Sequence, residues 1–256
     1  MDAGTSGRKS RHVGRGQVAA AADTLGRRIA AGLYSEGETL PIEQELAASL
    51  GVGRNALREA VKVLSGKGLI VTAPRSGTRI RPREDWNMLD PDVLSWHADP
   101  QTATPEFLLS LLEARRIIEP KAAELAAVRG TREDMAAILS AYERMEQFQD
   151  EPGERMEADI DLHTAILKAS HNPVIAHFRY AVATYLRAHA HFGAPADPGD
   201  AEPLQRDLEL HRQIAWSIVT GKAKSAYAQT VEMLNQGRQR VSQARRENED
   251  PAPVQA

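Results

Sequence analysis

Two groups of residues in this chain have types and spacings that could do chemistry. The first is cationic. Arg54, Arg58 and Lys62 stand at i, i+4 and i+8, so a helix through them carries one charged face, opposite Leu57, Val61 and Leu64 at i, i+4 and i+7. The planar fork of arginine matches O6 and N7 of guanine, and such a helix fits the major groove of duplex DNA. Arg54, Asn55 and Arg58, at the N-terminal end, are the expected base readers, with Lys62 one turn on. Gln44 and Thr72 are placed for phosphates or sugars. Arg75, Ser76 and Gly77, in a turn that starts at Pro74, would reach the backbone or the adjacent minor groove. Singly, each also fits a solvated surface residue; the grouping carries the argument.

The second group is a candidate metal centre. Asp159 and His163 are four residues apart, one turn along one helix face. Leu204, Leu208, His211, Ala215 and Ile218 recur at helical spacing, which sets His211 in an apolar, inward stripe. One carboxylate and two imidazoles converging in a bundle suit Zn²⁺ or a related divalent ion, with open positions for an oxygen-rich ligand. A surface Asp–His pair and a hydrogen-bonded core histidine are the competing readings. His189 and His191, near a helix end, read as polar surface or capping residues. The chain has no cysteine, which removes disulfides, thiolate metal sites and cysteine nucleophiles.

The elements that must position these groups divide the chain by charge. Positions 1–83 hold 14 Lys and Arg against 7 Asp and Glu, a net of +7 that leaves −10 for the remainder of a chain whose total is −3. A basic first third suits a polyanion; an acidic remainder suits solubility and keeps nucleic acid off its own surface. No apolar run approaches the roughly 18 residues a membrane span needs, and the basic, Gly-rich start lacks the apolar stretch of a secretory signal. The expectation is a cytoplasmic protein with no membrane partner.

Positions 1–16 read as a disordered basic tail. Positions 17–82 read as three short helices and a hairpin: helices from Gln17 to Ala31, from Pro41 and from Arg54, then LIVT and TRIR around the Pro74–Gly77 turn. That order is a winged helix-turn-helix. Positions 83–101 read as an ordered linker, because Trp86, Leu89, Val93, Leu94 and Trp96 need burial. Positions 102–246 read as an all-α antiparallel bundle. Its helices start at the Thr104-Pro105 cap, at the capping-box sequence Thr131–Asp134, near Gly153, after His171-Asn172-Pro173 (reaching about Phe192), at Leu204 and after Gly221. A kink is expected at Pro120. Positions 247–256 read as a disordered tail. The fold class is mainly α.

The run LPIEQELAASLGVGRNALREAVKVLSGKGLI, with RSGTRI after it, resembles the DNA-binding domain of the GntR family over about Thr39 to Arg81. EARRIIEPKAAELAA, ADIDLHTAILKASHNPV and the His211 helix are similar to the FCD ligand-binding domain of the FadR-like subfamily. DWNMLDPDVLSWH and EADIDLHTAILKASHNPV look most like the galactonate-operon repressors within it. The resemblance implies a homodimer on a palindromic operator. It implies that Asp159, His163 and His211 bind a metal below the effector, and that Arg115 clamps an effector carboxylate, with Arg116 its solvent-facing neighbour. A further family histidine falls at Met233, where a thioether is a poor zinc ligand. Gln44 stands where some relatives carry a basic residue.

The expected function is therefore a one-component repressor, not an enzyme, whose operator binding is controlled by a small carboxylate such as an aldonate. A metal-dependent enzyme acting on a sugar acid is the alternative; no general base stands beside the triad, and the DNA-binding half would go unused. A structural DNA-associated protein, a third class, would show no ligand and no sequence preference.

Overall fold

The computed structural model describes residues 6–74, 76–99, 103–192 and 202–249. The chain divides after Thr102 into two compact units.

In the first unit, α1 (Ser6–Ala30) packs against α3 (Arg54–Gly66), with α2 (Glu43–Leu50) across the turn at Gly51, whose φ of 65° closes α2. Leu25, Ile29, Leu46, Leu57 and Leu64 meet in one core, and Leu57 and Leu64 are the buried stripe expected of α3. The wing is β1 (Ile70–Ala73) against β2 (Gly77–Ile80), antiparallel, with Thr72 opposite Thr78 and Ala73 opposite Gly77. Gly77 sits at φ 76°, and a Cβ there would stand 3.0 Å from Thr39 Cγ2. Both facts favour glycine.

Three features differ from the sequence reading. First, α1 begins at Ser6, inside the stretch read as a tail. Arg and Lys are good helix formers, and propagation from a packed helix is far cheaper than nucleation. Second, the segment before α2 adds an edge to the wing: Leu40 N donates to Thr78 O at 2.8 Å and Ile80 N to Glu38 O at 2.9 Å. Third, the segment read as a linker belongs to this unit's core. Within it lie a 3-10 turn (Arg83–Asp85) and α4 (Pro91–His97). Trp86, Val93 and Trp96 join the core cluster, and Trp96 lies so close over Gly26 of α1 that a Cβ there would stand 2.6 Å from the indole. Trp96 Nε1 also donates to Asp23 Oδ1 at 2.8 Å. Leu89, expected inside, is 71% exposed, because it lies in the turn ahead of α4 where no element covers it.

Among the described residues the second unit has seven helices: α5 (Pro105–Arg129), α6 (Arg132–Gln147), α7 (Pro152–Ala169), α8 (Pro173–His177), α9 (Arg179–Phe192), α10 (Glu202–Val219) and α11 (Ala223–Glu249). α5 packs on α11 and α7, α6 on α7, and α10 on α11, α6 and α5. Thr104 caps α5 by accepting from Phe107 N, and Thr131 and Asp134 form a reciprocal capping box at α6. α5 is one helix through Pro120, which is buried on its inner face. The single helix expected between Pro173 and Phe192 is two, separated at Phe178. α11 runs to Glu249, three residues into the stretch read as a tail.

Candidate nucleic-acid interface and metal centre

The N-terminal end of α3 is presented by elements that bury its other face. Arg54, Asn55, Arg58 and Lys62 are all exposed, while Leu57 is 1% and Leu64 0% exposed. Gln44, Thr72, Ser76 and Gly77 are exposed as well; Arg75 lies outside the described residues. The cations are not bare. Arg58 Nε donates to both Glu43 oxygens at 3.0 and 3.1 Å, Lys62 Nζ to Glu59 Oε1 at 2.7 Å, and Arg54 Nη2 to Gln44 Oε1 at 3.5 Å. Exposed pairs of this kind contribute about 0–1 kcal/mol, so a phosphate or base edge can displace them.

In the second unit α7 supplies Asp159 and His163, and α10 supplies His211. Both imidazole Nε2 atoms stand 3.3 Å from Asp159 Oδ1, and the rings meet edge to face, 5.6 Å between centroids. The other ring nitrogens are engaged. His163 Nδ1 lies 2.5 Å from Glu119 Oε2, and His211 Nδ1 lies 2.7 Å from the Asp207 carbonyl. Donation from each Nδ1 to these acceptors leaves both Nε2 atoms free to act as ligands. Asp159 Oδ1 and His211 Nε2 are buried there with no hydrogen bond.

That geometry fits a metal. Two ligand atoms each about 2.0 Å from one ion at a tetrahedral angle stand about 3.3 Å apart. The acidic and basic groups of the cluster favour one another's charged forms. Burial opposes charge on His211, but Asp207 and Asp159 outweigh it and raise its pKa to about 9. His163 is raised in the same way by Glu119 and Asp159. Asp159 is held well below the ordinary carboxylate range because the two imidazoles overcome its desolvation.

Two residues complete the cluster that the spacing of His and Asp did not reveal. Glu119 is 2% exposed and accepts from Arg115 Nε at 2.5 Å as well as facing His163. Burial would raise its pKa, but Arg115 and His163 bring it to about 2. The signal was present on α5: Leu108, Leu111, Leu112, Ala122 and Ala126 are its buried stripe, and Arg115 and Glu119 sit inside it. Tyr185 of α9 is the other. Arg115 lies 4.6 Å from its ring centroid, and His189 stacks on it at 5.3 Å. His189 is thus half-buried against an aromatic ring beside the cluster, not a surface cap; the side chain of His191 lies outside the described residues. Arg116 is half-buried. Met233, 8% exposed, lines a cavity of about 10 Å³ together with Glu119, His163, His211 and Thr230, enough for about one water or ion.

Residues 17–80 match the model of the gntR family of bacterial regulatory proteins, and residues 110–236 match the FCD domain. The chain is similar to the galactonate operon transcriptional repressor of Escherichia coli K12, 37% identical over 64% of this chain and 72% of the relative. It is similar to the uncharacterized HTH-type regulator YieP of the same organism, 33% identical over 80% of this chain and 87% of the relative. Among solved structures it resembles Lar, described as controlling the Listeria monocytogenes agr system, at 20% identity and a TM-score of 0.56, over 88% of this chain and 95% of that one. No helix among the described residues is long and apolar enough to cross a membrane.

Proposed function

The chain belongs to the GntR family, in its FadR-like branch with an FCD domain, and is a transcription regulator; from that premise we propose that it is a dimeric repressor released from a palindromic operator by a small carboxylate, a sugar acid of the aldonate class. The observation that carries the effector half is the buried oxygen of Asp159, without a hydrogen bond and 3.3 Å from both Nε2 atoms. A divalent cation bound there would supply a Lewis-acid anchor for a carboxylate and its α-hydroxyl.

The remaining work falls to the chain's own residues. Asp159, His163 and His211 would hold the ion, while Glu119 and the Asp207 carbonyl fix the two rings. Arg115, positioned by Glu119 and Tyr185, would neutralise the incoming carboxylate through its guanidinium. Met233 leaves one side of the site without a strong ligand. The 10 Å³ cavity is far smaller than a six-carbon acid, so an effector reaching the ion from that side would select a conformation in which the surrounding helices have parted. Such a preference is what effector control requires: it weakens operator affinity by the factor by which operator weakens effector binding. The exposed Ile117, Val128, Trp216 and Tyr227 offer apolar surface for a second copy.

A gel-shift titration on the chain's own upstream DNA, with and without a panel of sugar acids, tests the whole reading. A specific complex should form and dissociate with at least one acid. Absence of any specific complex overturns it. Calorimetry with the active acid should show binding lost in Arg115→Ala and His163→Ala; equal affinity in the variants removes this pocket. Metal competition against a chromophoric chelator should show zinc affinity falling at least about 100-fold in His163→Ala and His211→Ala.

A further inference from the structure

Polar side chains continue from the metal centre along the interior of the bundle. Glu119 takes the edge of the Arg115 guanidinium through Nε and Nη2, and the guanidinium carbon lies 4.6 Å from the centroid of the Tyr185 ring. His189, one turn further along α9, stacks on that ring at 5.3 Å with 27° between the planes. Tyr185 is buried and His189 half-buried, on a helix face whose other inward residues are the buried Ala181, Val182 and Ala188. Packing alone asks for apolar groups on such a face. A phenol and an imidazole bring polar atoms into it, and burial penalises those unless they are hydrogen-bonded.

Their chemistry is selective. A phenol, and an imidazole in its neutral form, can each donate one hydrogen bond and accept another. A carboxylate only accepts and an ammonium only donates, whereas an alcohol does both. The pair is therefore matched to hydroxyl groups.

From the neighbouring α11 a glycine faces the phenol. Gly237 lies in the interior of that helix, where glycine costs stability relative to alanine. A Cβ there would stand 3.7 Å from Tyr185 Oη, an ordinary contact, and nothing else among the described residues outside its own stretch of helix would lie within 4 Å. Neither a helical backbone nor crowding asks for glycine at this position. The missing methyl leaves room beside the phenol oxygen.

We propose that Tyr185 and His189, with the space at Gly237, form a hydroxyl-binding subsite that selects a polyhydroxylated acid over a short 2-hydroxy acid. This rests on the effector reading given above: Arg115 takes the carboxylate, and the subsite takes hydroxyls further along the carbon chain. A site that hydrogen-bonds a hydroxyl rejects the analogue lacking it, because its own buried polar groups would then go unmatched.

Calorimetry on the full chain, with D-galactonate (six carbons, five hydroxyls) and L-lactate (three carbons, one hydroxyl) as probes, tests this in wild type, Tyr185→Phe, His189→Phe and Gly237→Ala. The first two variants keep a ring in place, and the third adds a methyl at ordinary contact distance. Wild type should prefer galactonate. The ratio of galactonate to lactate affinity should fall about tenfold in each variant, the size of one lost hydrogen bond. In Gly237→Ala the melting temperature should hold or rise, since alanine is the better helix former, so a weakened fold would not account for the change.

An unchanged ratio in variants that still bind overturns the proposal. So does an equal fall in both affinities, which would make Tyr185 and His189 mere supports for Arg115, or a wild type that takes lactate as tightly as galactonate. If wild type binds neither acid, the effector reading fails and the subsite with it; that result differs from a wild type that prefers galactonate and variants that match it.

Discussion

The charges on α3 and the charges in the helical bundle obey opposite rules. The Arg58 side chain is 64% exposed and its partner Glu43 37%, whereas Arg115 and Glu119 are each 3% exposed. In water the first pair is screened and easily exchanged. In the bundle the attraction is stronger, but each ion has given up its hydration and depends on its neighbours. The α3 surface, proposed to trade partners with DNA, is built from interchangeable pairs. The buried site, proposed to hold an ion and a ligand in one geometry, is built from groups that complete one another.

Breaking the buried set should produce the largest effect. Glu119→Ala leaves Arg115 and the Nδ1 side of His163 without their carboxylate, and should cost the bundle about 3–5 kcal/mol in denaturant unfolding. A loss below about 1 kcal/mol would mean that the pair is not desolvated as described. On the exposed side, Arg54→Ala or Arg58→Ala should each weaken operator binding by about 1–3 kcal/mol while leaving the unfolding free energy within about 0.5 kcal/mol. Equal effects on stability and binding would erase the contrast between the regions.

The capping box at α6 sharpens it with an intermediate case. Asp134 Oδ2 accepts from Thr131 N at 2.9 Å and lies 2.7 Å from His171 Nε2. The Thr131 amide and His171 hold its pKa below the ordinary value of 3.8 against the desolvation that would raise it. A depressed carboxyl stabilises the fold above its unfolded pKa, and that contribution disappears as pH falls through the folded one. Asp134→Asn should therefore cost about 1 kcal/mol at pH 7, and chemical denaturation should show the difference shrinking as pH drops below about 4. The smallest effect belongs to Glu43→Gln. It frees Arg58, should change stability by less than about 0.5 kcal/mol, and should tighten operator binding a few-fold in anisotropy; weaker binding would show that Glu43 orients Arg58.

The legible parts of the chain were those with local signals. Thr104-Pro105 and Thr131–Asp134 marked the starts of α5 and α6 because caps satisfy orphan amides within a few residues. Asp159, His163 and His211 were found because helical spacing says which side chains share a face, and the structure brings their ligand atoms within 4.8 Å of one another. Glu119 was legible in principle, as a charge inside an apolar stripe four residues from Arg115, but its second partner, His163, lies on another helix. Trp96 announced burial without saying where, since its seat on Gly26 of α1 is 70 positions away.

The order of residues by itself determined the two-part plan, the cationic helix beside its wing, and the inward placement of two histidines, because period, caps and turn residues act over a few positions. Packing alone decided that the stretch after the wing completes the first core, that Glu38 to Leu40 edge the sheet, and that Glu119, Tyr185 and His189 surround the triad. Those outcomes depend on which faces meet across tens or scores of residues, and a contact between distant segments leaves no pattern in either segment alone.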